Sequence, residues 1–199
     1  MPKFTPTALP LILASSSSYR RTLLTTIGLH PTCQAPNIDE SALPSEDAAT
    51  LAKRLSVAKA LAVAKHFPAA LIIASDQSAE LNGHILGKPG TIEKAKQQLA
   101  YCSGRDVVFH TGLCLLNSQT GHQHIAIERV TAGFRKLSTQ EIERYTNREP
   151  ALDCAGSFKV EGLGISLFRH VRSDDPNTLI GLPLIRLIEF LSKENYPVL

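Results

Sequence analysis

Ser15-Ser16-Ser17-Ser18-Tyr19-Arg20-Arg21 gathers hydroxyls, backbone amides and two guanidiniums where a helix is expected to begin. Free amides at a helix N-terminus and forked arginine donors both suit phosphate oxygens. The Gly-Lys-Ser/Thr ending of a Walker A loop is absent, so any phosphate site here is of another kind. The same residues also read as a capped helix carrying two solvated arginines.

A second group is acidic. Asp39 and Glu40 follow Pro36 in a loop, and Asp76 follows the apolar stretch 71–74. Carboxylates that converge from separate segments can hold Mg²⁺ against a polyphosphate, and one of them can take a proton from water. The plainer alternatives are an acidic loop leading into a helix and a turn residue at a strand end. Lys88 sits in the stiff loop Leu86-Gly87-Lys88-Pro89-Gly90 and suits a phosphate contact, whereas Lys59, with Lys53, Arg54 and Lys65, reads as one solvated helix face. Glu161 lies between Val160 and Gly162, where glycines let a ligand approach the backbone. A carboxylate only accepts hydrogen bonds and guanine's Watson–Crick edge offers two adjacent donors, so a fixed glutamate suits that base; a loop glutamate is the alternative. His122 and His124 share a strand face and could bind a metal, but an exposed hairpin edge is the better reading.

Alternating strand-like and helix-like stretches must position these groups, which argues for an α/β fold. A buried strand is expected over 9–15, a helix over 19–27 stopped by Gly28, a helix over 47–66 broken by Pro68, and a strand over 71–75 that puts Asp76 at its C-terminal end. Ligand sites gather at such ends. A helix over 91–101, a hairpin joining 107–116 to 124–134, a helix opened by the Ser138/Glu141 capping box and a last helix over 184–193 complete the pattern. Residues 154–164 read as glycine-rich irregular backbone, and hairpins beside crossovers imply a mixed sheet.

The 199 residues are 43% hydrophobic and 20% charged, with 21 Lys+Arg against 18 Asp+Glu. A chain of this length can bury a core without metal or disulfide staples. A net charge of +3 is too mild for a protein that coats a nucleic acid polymer, so any positive site must be local. Cys33, Cys102, Cys114 and Cys154 show no metal-ligand spacing, which suits a reducing compartment. After the polar opening 1–6, the apolar run 9–14 is too short for a signal-peptide core, and no segment approaches a membrane span. A cytoplasmic protein without membrane partners is expected.

Taken together the motifs resemble the Maf-like nucleotide pyrophosphatases, first named as septum-formation inhibitors. The resemblance covers nearly the whole chain. It runs through the serine-rich segment ending Tyr19-Arg20-Arg21, Ile38-Asp39-Glu40, Ala58-Lys59-Ala60, Ser75-Asp76-Gln77, Gly87-Lys88-Pro89, the stretch 154–164 and Asp175-Pro176-Asn177-Thr178-Leu179-Ile180-Gly181-Leu182-Pro183. It implies one domain over 1–199, with a mixed twisted α/β sheet in two lobes around a central cleft, of the Maf/inosine-triphosphatase-like kind, and a homodimer. Ser75-Asp76-Gln77 and the Glu161 segment are similar to the subgroup that hydrolyses 7-methyl-GTP to 7-methyl-GMP and pyrophosphate, removing modified nucleotides from the pool. Relatives acting on dTTP and UTP carry Asp-Thr and Gln at those places.

The resemblance further implies that Asp76 is the catalytic base and that Tyr19, Gln77 and Glu161 set specificity. On our reading Ser15, Arg20, Arg21, Lys59 and Lys88 contact the triphosphate, while Glu40 and Asp76 hold Mg²⁺ or Mn²⁺. The chain departs from the family in Ser18, often proline, and from the subgroup in Tyr19, commonly tryptophan. An aromatic face there attracts the positive 7-methylguanine ring. The rivals are a dTTP/UTP pyrophosphatase and a non-catalytic modified-nucleotide-binding protein acting on septum formation.

Overall fold

The computed structural model describes residues 9–199; the polar opening 1–6 lies outside the described residues. Five helices pack on a seven-stranded mixed sheet. In chain order the elements are β1 (Leu11–Leu13), α1 (Ser18–Thr26), β2 (Thr32–Cys33), α2 (Ala48–Ala64), β3 (Leu71–Leu81), β4 (His84–Leu86), α3 (Ile92–Cys102), β5 (Asp106–Asn117), β6 (Gln123–Phe134), α4 (Thr139–Arg148), β7 (Phe168–Arg172) and α5 (Leu184–Lys193). The sheet order is β2-β1-β3-β5-β6-β7, with β4 added to β3. β1 runs parallel to β2 and β3, and the remaining pairs are antiparallel.

The helices start where side chains satisfy their free amides. Ser17 caps α1, Asp47 caps α2, Thr91 caps α3, and Ser138 forms the full capping box of α4 with Glu141. Short β2, β4 and β7 escape a reading of apolar runs because they are two to five residues long and largely exposed.

Alternation along β3 fixes everything that follows. Leu71 and Ile73 join one apolar cluster with α1 and α5, while Ile72 and Ala74 join another with α2. In β5, Leu113 and Leu115 face the first cluster, and Cys114 and Leu116 the second. Both faces of this half of the sheet are therefore covered by helices. A third cluster, built on Phe109, Phe134, Phe158, Leu99 and Tyr145, gathers α3, α4 and the far ends of β3, β5 and β6. These are the two lobes, and β3 and β5 pass through both.

One expectation is corrected. β3 does not stop at 75; it runs for eleven residues, and Asp76 lies in its middle, paired with Gly112. The polar sequence Ser75-Asp76-Gln77-Ser78 hides this continuation from a hydrophobicity reading. What ends at this level is β1, whose Leu13 pairs with Ile73, so β3 loses its parallel neighbour while β5 still pairs with it as far as Glu80. The edge that opens beside Asp76 is the cleft.

Candidate active site

The alternation that sorts the apolar residues also sorts the polar ones. Asp76 has the parity of Ile72 and Ala74 and turns toward α2, whereas Ser75 and Gln77 turn toward the segment before α5. On the α2 side, Lys59 Nζ donates to Asp76 Oδ1 at 2.6 Å and lies 2.7 Å from Glu40 Oε1. Lys59 is only 5% exposed, so it is no part of a solvated face. Gly112 makes this approach possible: a Cβ there would meet the Ala52 carbonyl oxygen of α2 at 2.2 Å. Ala52 and Lys59 are two helical turns apart on one face, so the contact at Gly112 sets the depth of the lysine.

Glu40 arrives on a loop that α2 also holds. Arg54 donates to both Glu46 oxygens at 2.7 Å and to the Ser41 carbonyl at 2.9 Å, and Asp39 Oδ1 accepts from Ser41 N at 2.9 Å. Asp39 thus shapes the loop and Glu40 reaches inward. Burial pushes the Glu40 carboxyl up, but the hydrogen bond from Lys59 and the charges of Lys59, Lys88 and Arg20 outweigh it, leaving Glu40 below its ordinary value. Lys88 Nζ is exposed, 3.6 Å from Glu40 Oε2.

The turn between β1 and α1 supplies the next wall. Ser15 is buried, and its Oγ accepts from Ser17 N at 3.1 Å and from Arg20 Nη1 at 3.3 Å. Arg20 Nε also donates to the Gly181 carbonyl at 2.9 Å, which Ser75 Oγ reaches at 2.8 Å. Burial lowers the Arg20 pKa while Asp76 and Glu40 pull it back up, and an arginine so placed stays charged. Arg21 is exposed and does not line the cleft, so the structure does not bring it together with the other expected phosphate contacts.

At the other end stand Tyr19, Gln77, Lys159 and Glu161. Gln77 Nε2 donates to Thr111 Oγ1 at 2.9 Å and lies 2.9 Å and 3.3 Å from the carbonyls of Thr178 and Leu179. Carbonyls only accept, so they fix the amide with Oε1 turned the other way. Lys159 Nζ lies 5.7 Å from the centroid of the Tyr19 ring. The 154–164 loop is pinned by Phe158, packed edge-on against Phe109, Phe134 and Phe168, and by Lys159 N donating to Tyr145 Oη at 3.2 Å. Glu161 on this loop is exposed on the cleft wall.

Ser15, Tyr19, Arg20, Glu40, Lys59, Asp76, Gln77, Lys88 and Glu161, every site residue expected from the sequence except Arg21, line one cleft of about 740 Å³, a volume suited to a ligand of nucleotide size. The sequence assigns Arg54 to a solvated helix face, where the structure has it holding the Glu40 loop, and it gives no site role to Lys159, Gly112 or the carbonyls of Thr178, Leu179 and Gly181. The 175–183 motif was visible, but backbone acceptors carry no side-chain signature. The Asp76 and Glu40 oxygens fit a hard divalent cation: Lys59 already places a positive charge between them, and among the described residues Asp76 Oδ2 has no partner.

Comparison with known proteins agrees with this architecture. The chain is similar to proteins named 7-methyl-GTP pyrophosphatase from Pseudomonas fluorescens (55% identity, covering 94% of this chain and 97% of that protein) and Nitrosococcus oceani (51% identity, 95% of each). A solved structure of the Staphylococcus aureus Ham1 protein shares the fold, with a TM-score of 0.50 at 15% identity over 93% of this chain and 99% of that one. Among the described residues no helix is long and apolar enough to cross a membrane. The family model for Maf-like proteins matches residues 10–194, and the chain belongs to that family.

Proposed function

We propose that the protein hydrolyses 7-methyl-GTP between the α- and β-phosphates, giving 7-methyl-GMP and pyrophosphate, and that residues 1–199 form one domain for this reaction. The observation that carries the reading is that one cleft is lined both by the Lys59, Asp76 and Glu40 cluster and by Tyr19, Gln77 and Glu161. The names of the relatives agree with it.

Asp76 takes the proton of the attacking water or holds the metal that activates it, with Lys59 holding its Oδ1 in place. Arg20, Ser15 and the exposed Lys88 receive the triphosphate. A divalent cation of the Mg²⁺ or Mn²⁺ class, held by Asp76 and Glu40, would neutralise charge on the phosphates. At the base end Tyr19 offers a ring face to the cationic 7-methylguanine, and Glu161 accepts from the two adjacent donors of its Watson–Crick edge. Gln77 lines the same cleft with its amine committed to Thr111 and the carbonyls of Thr178 and Leu179, so the acceptor oxygen is the group it has left to offer a base. Thymine and uracil set carbonyl oxygens beside their single donor and meet repulsion from such a wall.

The test is pyrophosphate release with Mg²⁺ or Mn²⁺ across 7-methyl-GTP, GTP, dTTP, UTP and CTP, with Asp76→Asn as control. Preferential release from 7-methyl-GTP, lost in the variant, is expected. Preference for dTTP or UTP would overturn the base assignment, and binding without release would overturn the chemistry.

A further inference from the structure

His122 and His124 stand at the turn end of β6, well away in sequence from Glu194, which follows α5; the fold brings the three together. His122 Nδ1 lies 3.0 Å and His124 Nε2 2.8 Å from the same oxygen, Glu194 Oε1, and the ligating atoms all fall within 4.8 Å of one another. None of the three lines the nucleotide cleft. The sequence alone favours an exposed hairpin edge here, because the glutamate that completes the cluster is some seventy residues away.

The cluster is organised from beneath. Asn117 Nδ2 donates to Glu194 Oε2 at 2.7 Å, which commits that oxygen and leaves Oε1 to the imidazoles. Asn117 is itself buried, and its Oδ1 accepts from Gln119 N and Thr120 N in the turn. The His124 ring stacks on Phe190 of α5 at 5.2 Å between centroids. Such outer contacts orient the ligands of a metal. His122 is exposed, so water can complete a coordination shell.

We propose that His122, His124 and Glu194 bind a borderline divalent cation, Zn²⁺ foremost, at a site separate from the nucleotide cleft. Two imidazoles and one carboxylate suit zinc, whereas the all-oxygen pair Glu40 and Asp76 suits Mg²⁺ or Mn²⁺. Ligands bonded to tetrahedral zinc at about 2.0–2.2 Å sit roughly 3.3 Å apart, so the two nitrogen–oxygen contacts need open by only a few tenths of an ångström, while the two ring nitrogens close from within 4.8 Å. The ion replaces protons that now bridge the rings to one carboxylate oxygen. It ties the start of β6 to the end of α5, the helix that follows the segment whose carbonyls hold Arg20 and Gln77.

The experiment uses the full chain, stripped with a chelator and returned to excess Mg²⁺ so that oxygen-ligand sites are filled, then titrated with Co²⁺ and Zn²⁺. One equivalent of Co²⁺ with visible absorption, displaced by Zn²⁺, is expected, together with a higher thermal midpoint in Zn²⁺. His122→Ala, at an exposed position, should keep the metal-free midpoint and weaken binding at least about tenfold; Glu194→Gln should do the same to binding. No bound equivalent in the presence of Mg²⁺, or an equivalent that survives both substitutions, would overturn the proposal and leave a hydrogen-bonded staple.

Discussion

The Lys59 ammonium lies 2.6 Å from Asp76 Oδ1, and the helix that carries it is pressed to the sheet at Gly112, the residue paired with Asp76. Depth of packing and chemistry are thus set at one point. Asp76→Asn should keep the fold and lose about 10²–10⁴-fold in turnover, the ordinary contribution of a general base. Lys59→Met should lose turnover and stability together, by about 3–5 kcal/mol, because it leaves a buried carboxylate unpaired. Pyrophosphate release and urea unfolding measured on both variants separate the two effects. If Lys59→Met unfolds like the wild type, the pair does not hold the cleft wall.

Gly181 has φ +111, and a Cβ there would sit 3.4 Å from Arg20 Nε. Its carbonyl is also the acceptor that Arg20 and Ser75 share. Gly181→Ala should therefore cost about 1–2 kcal/mol in backbone strain and shift the guanidinium. KM should rise for every nucleotide, with the order of preference among bases unchanged. A changed order would mean that the segment acts on the base through Gln77 rather than on the phosphates.

The helices were legible because their start signals are local: Asp47, Thr91 and the Ser138/Glu141 box act within one turn. Asp76 was legible as a residue and misplaced as to element, since Ser75-Asp76-Gln77-Ser78 carries no apolar pattern and the strand persists through pairing with β5 and, at its end, with β4. Lys59 and Lys65 look alike in sequence, one burying against Asp76 and the other staying exposed. Helical spacing does not distinguish them until the sheet beneath is known. Glu194 beside two histidines, and the carbonyls that orient Gln77, depend on long-range packing that no local pattern encodes.

Acid should loosen the protein through particular carboxylates. Glu46 is held down at about 2 by the hydrogen bonds of Arg54 and Leu43 N, and Glu141 at about 2 by Ser138 N, Arg135 and the Ser138 hydroxyl, against an ordinary 4.5. A carboxylate with a depressed folded pKa binds its proton first in the unfolded chain. Its contribution is complete above the unfolded value and is lost as pH falls from roughly 5 toward 2. The urea midpoint should decline over that window, and Glu46→Gln and Glu141→Gln should each be weaker at neutral pH with a flatter acid limb. Curves parallel to the wild type would rule both carboxylates out as the cause.

Base selectivity should answer to Lys159, whose cation already occupies the neighbourhood of the Tyr19 ring. Interaction with the Tyr19 side chain raises the Lys159 pKa above its ordinary value, a second sign that the two side chains are coupled. On the proposed reading, a cationic 7-methylguanine competes with it for that face. An exposed cation–π contact is worth about 0.5–1 kcal/mol, so Lys159→Met should lower KM for 7-methyl-GTP about two- to fivefold while kcat holds. Glu161→Gln should act oppositely, weakening 7-methyl-GTP about 10–100-fold through loss of a charge-assisted acceptor and sparing unmethylated pyrimidine nucleotides. Steady-state kinetics on 7-methyl-GTP and UTP check both. A uniform loss on both nucleotides in Lys159→Met would instead assign the lysine to the phosphates, and a uniform loss in Glu161→Gln would reduce Glu161 to a support of its loop.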